Sequence, residues 1–252
     1  MSDARGPLSP AFYAPVERTT RGPWSDWWVV LHVPYTLWHL AYVGVGAAIA
    51  PSFDGGRLTA TMLAFFLAVG LGAHALDELH DRPLHTAISS RSLVAVAAAS
   101  ITGAVALGIA GIGRIGIGLV VFIAVGVAVN CAYNLELFHG RFHNDVTFAV
   151  AWGAFPVLTA YYAQAETIGP AALAAATFAS CQAAAQRALS TPARAMRRRV
   201  DAIEGTVHHT DGMITPLSRR ELLAPLEAAL KAMSWGMVAL AIALIVQRTQ
   251  HG

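Results

Sequence analysis

Charge is scarce in this chain. Of its 252 residues only 13% are charged, while 56% are hydrophobic and the mean hydropathy is +0.52. Soluble domains carry about a quarter charged residues. So few polar side chains cannot wet the outside of a bundle, which excludes a soluble all-α core. Lysine is nearly missing, with Lys231 alone, and the net charge of +2 is scattered. That balance excludes nucleic acid as an electrostatic partner. Cysteine is limited to Cys131 and Cys181, both within apolar runs. Buried free thiols are expected there, with neither a disulfide framework nor a metal-type cysteine pair. Residues 1–28 are polar, lack an apolar stretch, and do not read as a cleaved signal peptide.

What the chain does have is long apolar runs. A bilayer-spanning helix needs about 20 mostly apolar residues. Candidate spans fall at 29–50, 58–76, 92–112, 115–137, 146–165, 170–190 and 227–247. They are rich in Ala, Gly, Val and Leu, which lets membrane helices approach closely. The expected fold is an all-α, polytopic integral membrane helix bundle of about seven transmembrane helices. A cytoplasmic segment, 1–28, precedes one transmembrane domain, 29–252. With the N-terminus cytoplasmic, the inner loops 77–91, 138–145 and 191–226 hold most of the arginines, while Arg57, Arg114 and Arg248 lie outside. That asymmetry follows the positive-inside rule and suits a bacterial or archaeal plasma membrane. Trp24, Trp27 and Trp28 read as an interfacial aromatic belt. The segment 217–230 either begins the last helix or lies along the membrane surface.

The titratable residues cluster on that inner face. "LGAHALDELHDRPLHT" supplies His74, Asp77, Glu78, His80, Asp81 and His85. "YNLELFHGRFHND" supplies Glu136, His139, His143 and Asp145, and "IEGTVHHTDG" supplies Glu204, His208, His209 and Asp211. If helix continues through residue 81, His74, Asp77 and Asp81 stand at i, i+3 and i+7 on one face. Carboxylates so spaced can hold Mg²⁺, and the metal a diphosphate. Glu78 and His80 fall on other faces, where capping a helix or solvating a loop is an equal alternative. Glu136, His139 and His143 are further metal candidates, although Gly140 argues against the helix that "HGRFH" would need to align its imidazoles. His208 and His209 read as solvated loop residues. Arg187, Arg194 and the run at 197–199 follow the sixth span. Arginine offers a planar fork to phosphate. A headgroup anchor is preferred for 197–199, and Arg187 is the better phosphate candidate.

These strings resemble the UbiA superfamily of intramembrane aromatic prenyltransferases. "VPYTLWHLAYVGVGAAIAP" is similar to the family's first span. "LAFFLAVGLGAHALDELHDRPLHTAIS" is similar to its second span and first aspartate-rich motif. "YNLELFHGRFHNDVTFAVAWGAFPVLTAYYAQ" is similar to its fourth and fifth spans. The resemblance covers residues 29 to about 200. It places Asp77 and Asp81 on the last two aspartates of the first motif, with Ala73 and His74 where the family has Asn and Asp. At the second motif the chain reads "CQAAAQRALSTPARAMRRRV", with Gln182 and Gln186 at carboxylate-like spacing and no aspartate. Only one span follows the sixth, where the family usually has three.

The resemblance implies a membrane transferase acting on an isoprenoid diphosphate. It would prenylate a lipophilic acceptor or cyclise a terpene, with Mg²⁺ on Asp77 and Asp81 and help from Arg187 and Arg194. The histidines support an alternative: an iron- or zinc-dependent hydroxylase- or desaturase-like enzyme, since imidazole suits those metals. A non-catalytic lipid-binding scaffold is the third reading. The donor length, the acceptor and the oligomeric state are not written in the sequence.

Overall fold

A computed structural model describes residues 23–251. The arginines expected at the N-terminal end (Arg5, Arg18 and Arg21) lie outside the described residues, as does the side chain of Asp81. Two short helices open the chain: α1, Pro23–Val30, and α2, Val33–Ala48. His32 separates them with φ 44, a left-handed conformation that breaks the expected 29–50 span. Trp24 and Trp28 on α1 are exposed, as a belt requires, whereas Trp27 packs on the core beside Val30 and Leu76.

Then come α3, Gly55–Phe65, a π-helical segment, Phe66–Ala73, and α4, His74–Asp81, forming one continuous rod. Asp54 caps α3 by accepting from the Arg57 amide. Helix α5, Ser90–Ile115, is capped by Ser89, and Gly116 ends it at φ 106. Helix α6, Leu119–Asn134, follows. A second rod joins α7, Asp145–Phe148, through a π-helical Ala149–Ala154, to α8, Phe155–Ala165. Helix α9 is Pro170–Arg199, with Pro192 inside it. An antiparallel hairpin, β1 Thr206–His208 and β2 Ile214–Pro216, leads to α10, Arg219–His251. The 217–230 segment therefore begins the last helix instead of lying apart.

Four of these helices are long and apolar enough to cross a membrane: Gly55–His80, Ser90–Ile115, Asp145–Ala165 and Arg219–Gln250, with Leu119–Asn134 a shorter apolar helix. Helices α2 and α9, read as spans from the sequence, fall outside that set. Helix α2 has 16 residues, and the apolar run of α9 is diluted by Gln182, Gln186 and Arg187. Large apolar side chains such as Val121, Leu173 and Ile242 are exposed along the helices, a surface that lipid covers. The chain is an integral membrane helix bundle.

Close packing follows from glycine. A Cβ at Gly46 would collide with the Val157 carbonyl, and one at Gly153 would lie 2.5 Å from that of Ala179. Helix α2 therefore presses on α8, and the second rod on α9, backbone to backbone. Trp38, Tyr42, Val157 and Ala179 fill the central core. The cysteines are free, but Cys181 is exposed and Cys131 half-buried. The expectation of two buried thiols fails because α9 turns Cys181 away from its packed face.

Candidate functional site: an arginine-lined rim above an apolar cavity

The rod 55–81 carries Asp77 to the same end of the bundle as the C-terminal half of α9. Helix α4 runs through residue 81, so His74, Asp77 and Asp81 do share the i, i+3, i+7 spacing. The π-helical turn before it leaves carbonyls free of regular partners. His74 Nδ1 donates to Gly70 O at 3.1 Å, and Asn130 of α6 donates to Ala68 O at 2.9 Å.

Arg194, Arg198 and His143 lie close enough to act on the Asp77 carboxylate. Neither arginine makes an ion pair among the described residues. Arg187, Arg194 and Arg198 stand at i, i+7 and i+11, within about 20° of one line along the helix. Arg197 points elsewhere and pairs with Glu227 of α10. Arg198 itself is exposed at the end of α9, compatible with the headgroup-anchor reading of 197–199.

Arg187 organises the lower edge of this rim. It pairs with Asp145, donates from Nη1 to the Tyr133 hydroxyl at 2.6 Å, and lies 5.1 Å above the Phe148 ring. Tyr133 stacks on His143 at 4.4 Å between centroids and meets Trp152 at 4.4 Å. Glu136 lies between two histidines, 3.8 Å from His80 Nε2 and 3.5 Å from His143 Nδ1. Segments distant in sequence therefore do meet at one rim. His139 is not among them: it is exposed, with φ 59 in a non-helical turn. The third cluster stands off on the hairpin, where His209 meets Thr215 and Asp211 shapes the turn.

Of the two alternatives open for Glu78, the structure shows the structural one. Glu78 is fully buried and accepts from the Leu84 and Thr86 amides and the Thr86 hydroxyl. It ties down the 82–88 loop. His32 and His39 belonged to none of the sequence clusters, yet the His32 ring sits 5.2 Å from His74, and His39 is buried in α2. They lie in apolar stretches, so no local pattern marked them.

Below the rim lies a cavity of about 740 Å³, bounded by α3, α5, α6 and the second rod. That is within the roughly 300–1,000 Å³ of ligand pockets. Trp152 and Asn130 belong to its wall, and the Tyr133–Trp152 contact joins this wall to Arg187. Asp77 is one of the two carboxylates that the resemblance implies for a metal, and the side chain of the other, Asp81, lies outside the described residues. Among the described residues no group of three His, Cys, Asp or Glu side chains is close enough to hold an ion. The Gln186 side-chain amide is buried with its Nε2 unpartnered.

No family model matches the sequence, and no curated protein does. Among solved structures, a UbiA homolog from Archaeoglobus fulgidus bound to Cd²⁺ aligns with a TM-score of 0.50 and 17% identity, over 90% of this chain and 86% of that one. The class is thus a polytopic helical membrane protein. Its fold is UbiA-like.

Proposed function

We propose that this protein is a membrane enzyme acting on an isoprenoid diphosphate, the diphosphate bound at the rim and the hydrocarbon chain in the cavity. The observation that carries the reading is the shared wall. Arg187 bonds Tyr133, and Tyr133 packs on Trp152, which lines the cavity. An arginine-bearing rim and a mostly apolar chamber, with Asp54, Arg57 and Arg114 also in its lining, suit a ligand with an anionic head and an apolar tail. In the reaction the allylic C–O bond breaks and its electron pair leaves with the diphosphate, whose charge the guanidinium groups offset. The Tyr133 and Trp152 ring faces stabilise the allylic cation. A lipophilic acceptor, or a double bond of the same chain, captures it and a proton is lost. The arginine asymmetry of the sequence supports a rim on the cytoplasmic side.

The test is diphosphate release by the purified chain in lipid nanodiscs supplied with prenyl diphosphates of graded length. Release is expected for at least one length, and it should fall in Arg187→Ala. Neither binding nor release at any length would sink the proposal.

A further inference from the structure

Resting on the diphosphate reading above, we infer that the cavity measures the hydrocarbon chain, with the Arg57 guanidinium as its end stop at the face opposite the rim.

The cavity walls run lengthwise through the bundle. Ile101 and Arg114, both in the lining, stand thirteen residues apart on α5, about 20 Å at the helical rise. The hydrocarbon core of a bilayer is about 30 Å thick, so the cavity crosses much of it. Asn130 and Trp152 line the end near the rim, and Arg57 and Arg114 the other. Ala60, Ala64 and Ala68 recur every fourth residue along the first rod, and Ala104, Gly108 and Gly111 line the α5 wall. Side chains this small leave the length of the chamber clear. Thr61 and Thr159 are the hydroxyls in this stretch, and each donates to a carbonyl one turn back. Between its ends the chamber therefore offers hydrocarbon contact and few free polar groups.

Arg57 bars the far end. Its Nη1 donates to the Ala163 and Gln164 carbonyls at 3.1 and 3.2 Å. Its Nη2 donates to the Arg114 carbonyl at 2.7 Å and to Glu166 Oε1 at 3.1 Å. One side chain of α3 thus reaches the last turns of α5 and α8, whose walls enclose the cavity. Carbonyls in a last turn lack intrahelical donors, which gives the guanidinium a fixed place. Beyond it Asp54 and Gly56 are exposed. A hydrocarbon end that pushed past Arg57 would strip these bonds from a charged group and then meet water. Both are costly. The chain that fits between Trp152 and Arg57 is the longest the site takes.

The test is the length profile of diphosphate release by the full chain in nanodiscs, with geranyl, farnesyl, geranylgeranyl and longer prenyl diphosphates. The wild type should show a ceiling, with release falling about tenfold or more beyond one length. Ala60→Phe, Ala64→Phe and Ala68→Phe place a ring progressively nearer the rim and should lower that ceiling in the same order. Arg57→Ala should raise it. Leu173→Phe, at an exposed position of α9, is the control and should leave the profile as it is. Should either kind of cavity variant fail to fold, the other still decides. A ceiling lowered most by Ala60→Phe would overturn the inference, because the chain would then enter from the opposite end. Equal release at every length by the wild type, or a profile that the cavity variants leave unaltered, would also overturn it and leave the diphosphate reading standing. No release at any length would overturn both.

Discussion

The Arg187 guanidinium donates to the Tyr133 hydroxyl at 2.6 Å, linking α9 to α6 where the charged rim meets the apolar cavity. Tyr133→Phe keeps the ring contacts to His143 and Trp152 but removes this bond. A hydrogen bond to a charged group is worth about 1.5–3 kcal/mol. Prenyl diphosphate affinity is expected to fall roughly tenfold or more, with the melting temperature nearly unchanged. A Phe variant with wild-type affinity would mean that Tyr133 does not orient Arg187.

Neighbouring acids on α4 should behave differently. Glu78 accepts three hydrogen bonds from the 82–88 loop and is fully buried. Glu78→Ala strands those donors, each at about 1–3 kcal/mol, so thermal stability in detergent should drop sharply. Asp77→Asn should change stability little. Equal losses for the two would contradict the division of roles.

The glycines that let backbones touch give a packing test. Gly153→Ala places a methyl 2.5 Å from the Ala179 carbonyl, where no flexible side chain can yield. Overpacking of this kind costs about 1–3 kcal/mol, to be read as lowered yield and melting temperature. Gly113→Ala, whose Cβ meets nothing within 4 Å, is the matched control and should be neutral.

Asn130 bridges α6 to the π-helical segment through Ala68 O at 2.9 Å. Asn130→Leu leaves that carbonyl unpaired next to the cavity, at a cost of about 1–3 kcal/mol. It should also shift the preferred prenyl length, because the cavity wall changes. Unaltered stability and chain-length profile together would remove Asn130 from the wall.

Sidedness can be read with single cysteines at positions 80 and 140 in a chain lacking Cys131 and Cys181. A membrane-impermeant thiol reagent should reach both from the same side, since His80 lies 3.8 Å from Glu136. Labelling from opposite sides is incompatible with the rim.

The hydrophobic runs, helix ends and clustering of acids and histidines were legible in the sequence because each is a local property. Composition alone required lipid around the helices, and the i, i+3, i+7 spacing of His74, Asp77 and Asp81 followed from α-helical geometry. Spacing fixes the angle between residues on one helix, but not the rotation of that helix against its neighbours. Packing decided that Arg197 turns to Glu227, that Glu78 anchors a loop, and that His32 reaches His74. It also left His139 outside, because the turn after α6 takes left-handed backbone conformations where aligned imidazoles would need a helix. The sequence by itself determined what sits at each helix end. Only the tertiary structure decided which of those side chains meet, because that depends on contacts between segments far apart in the chain.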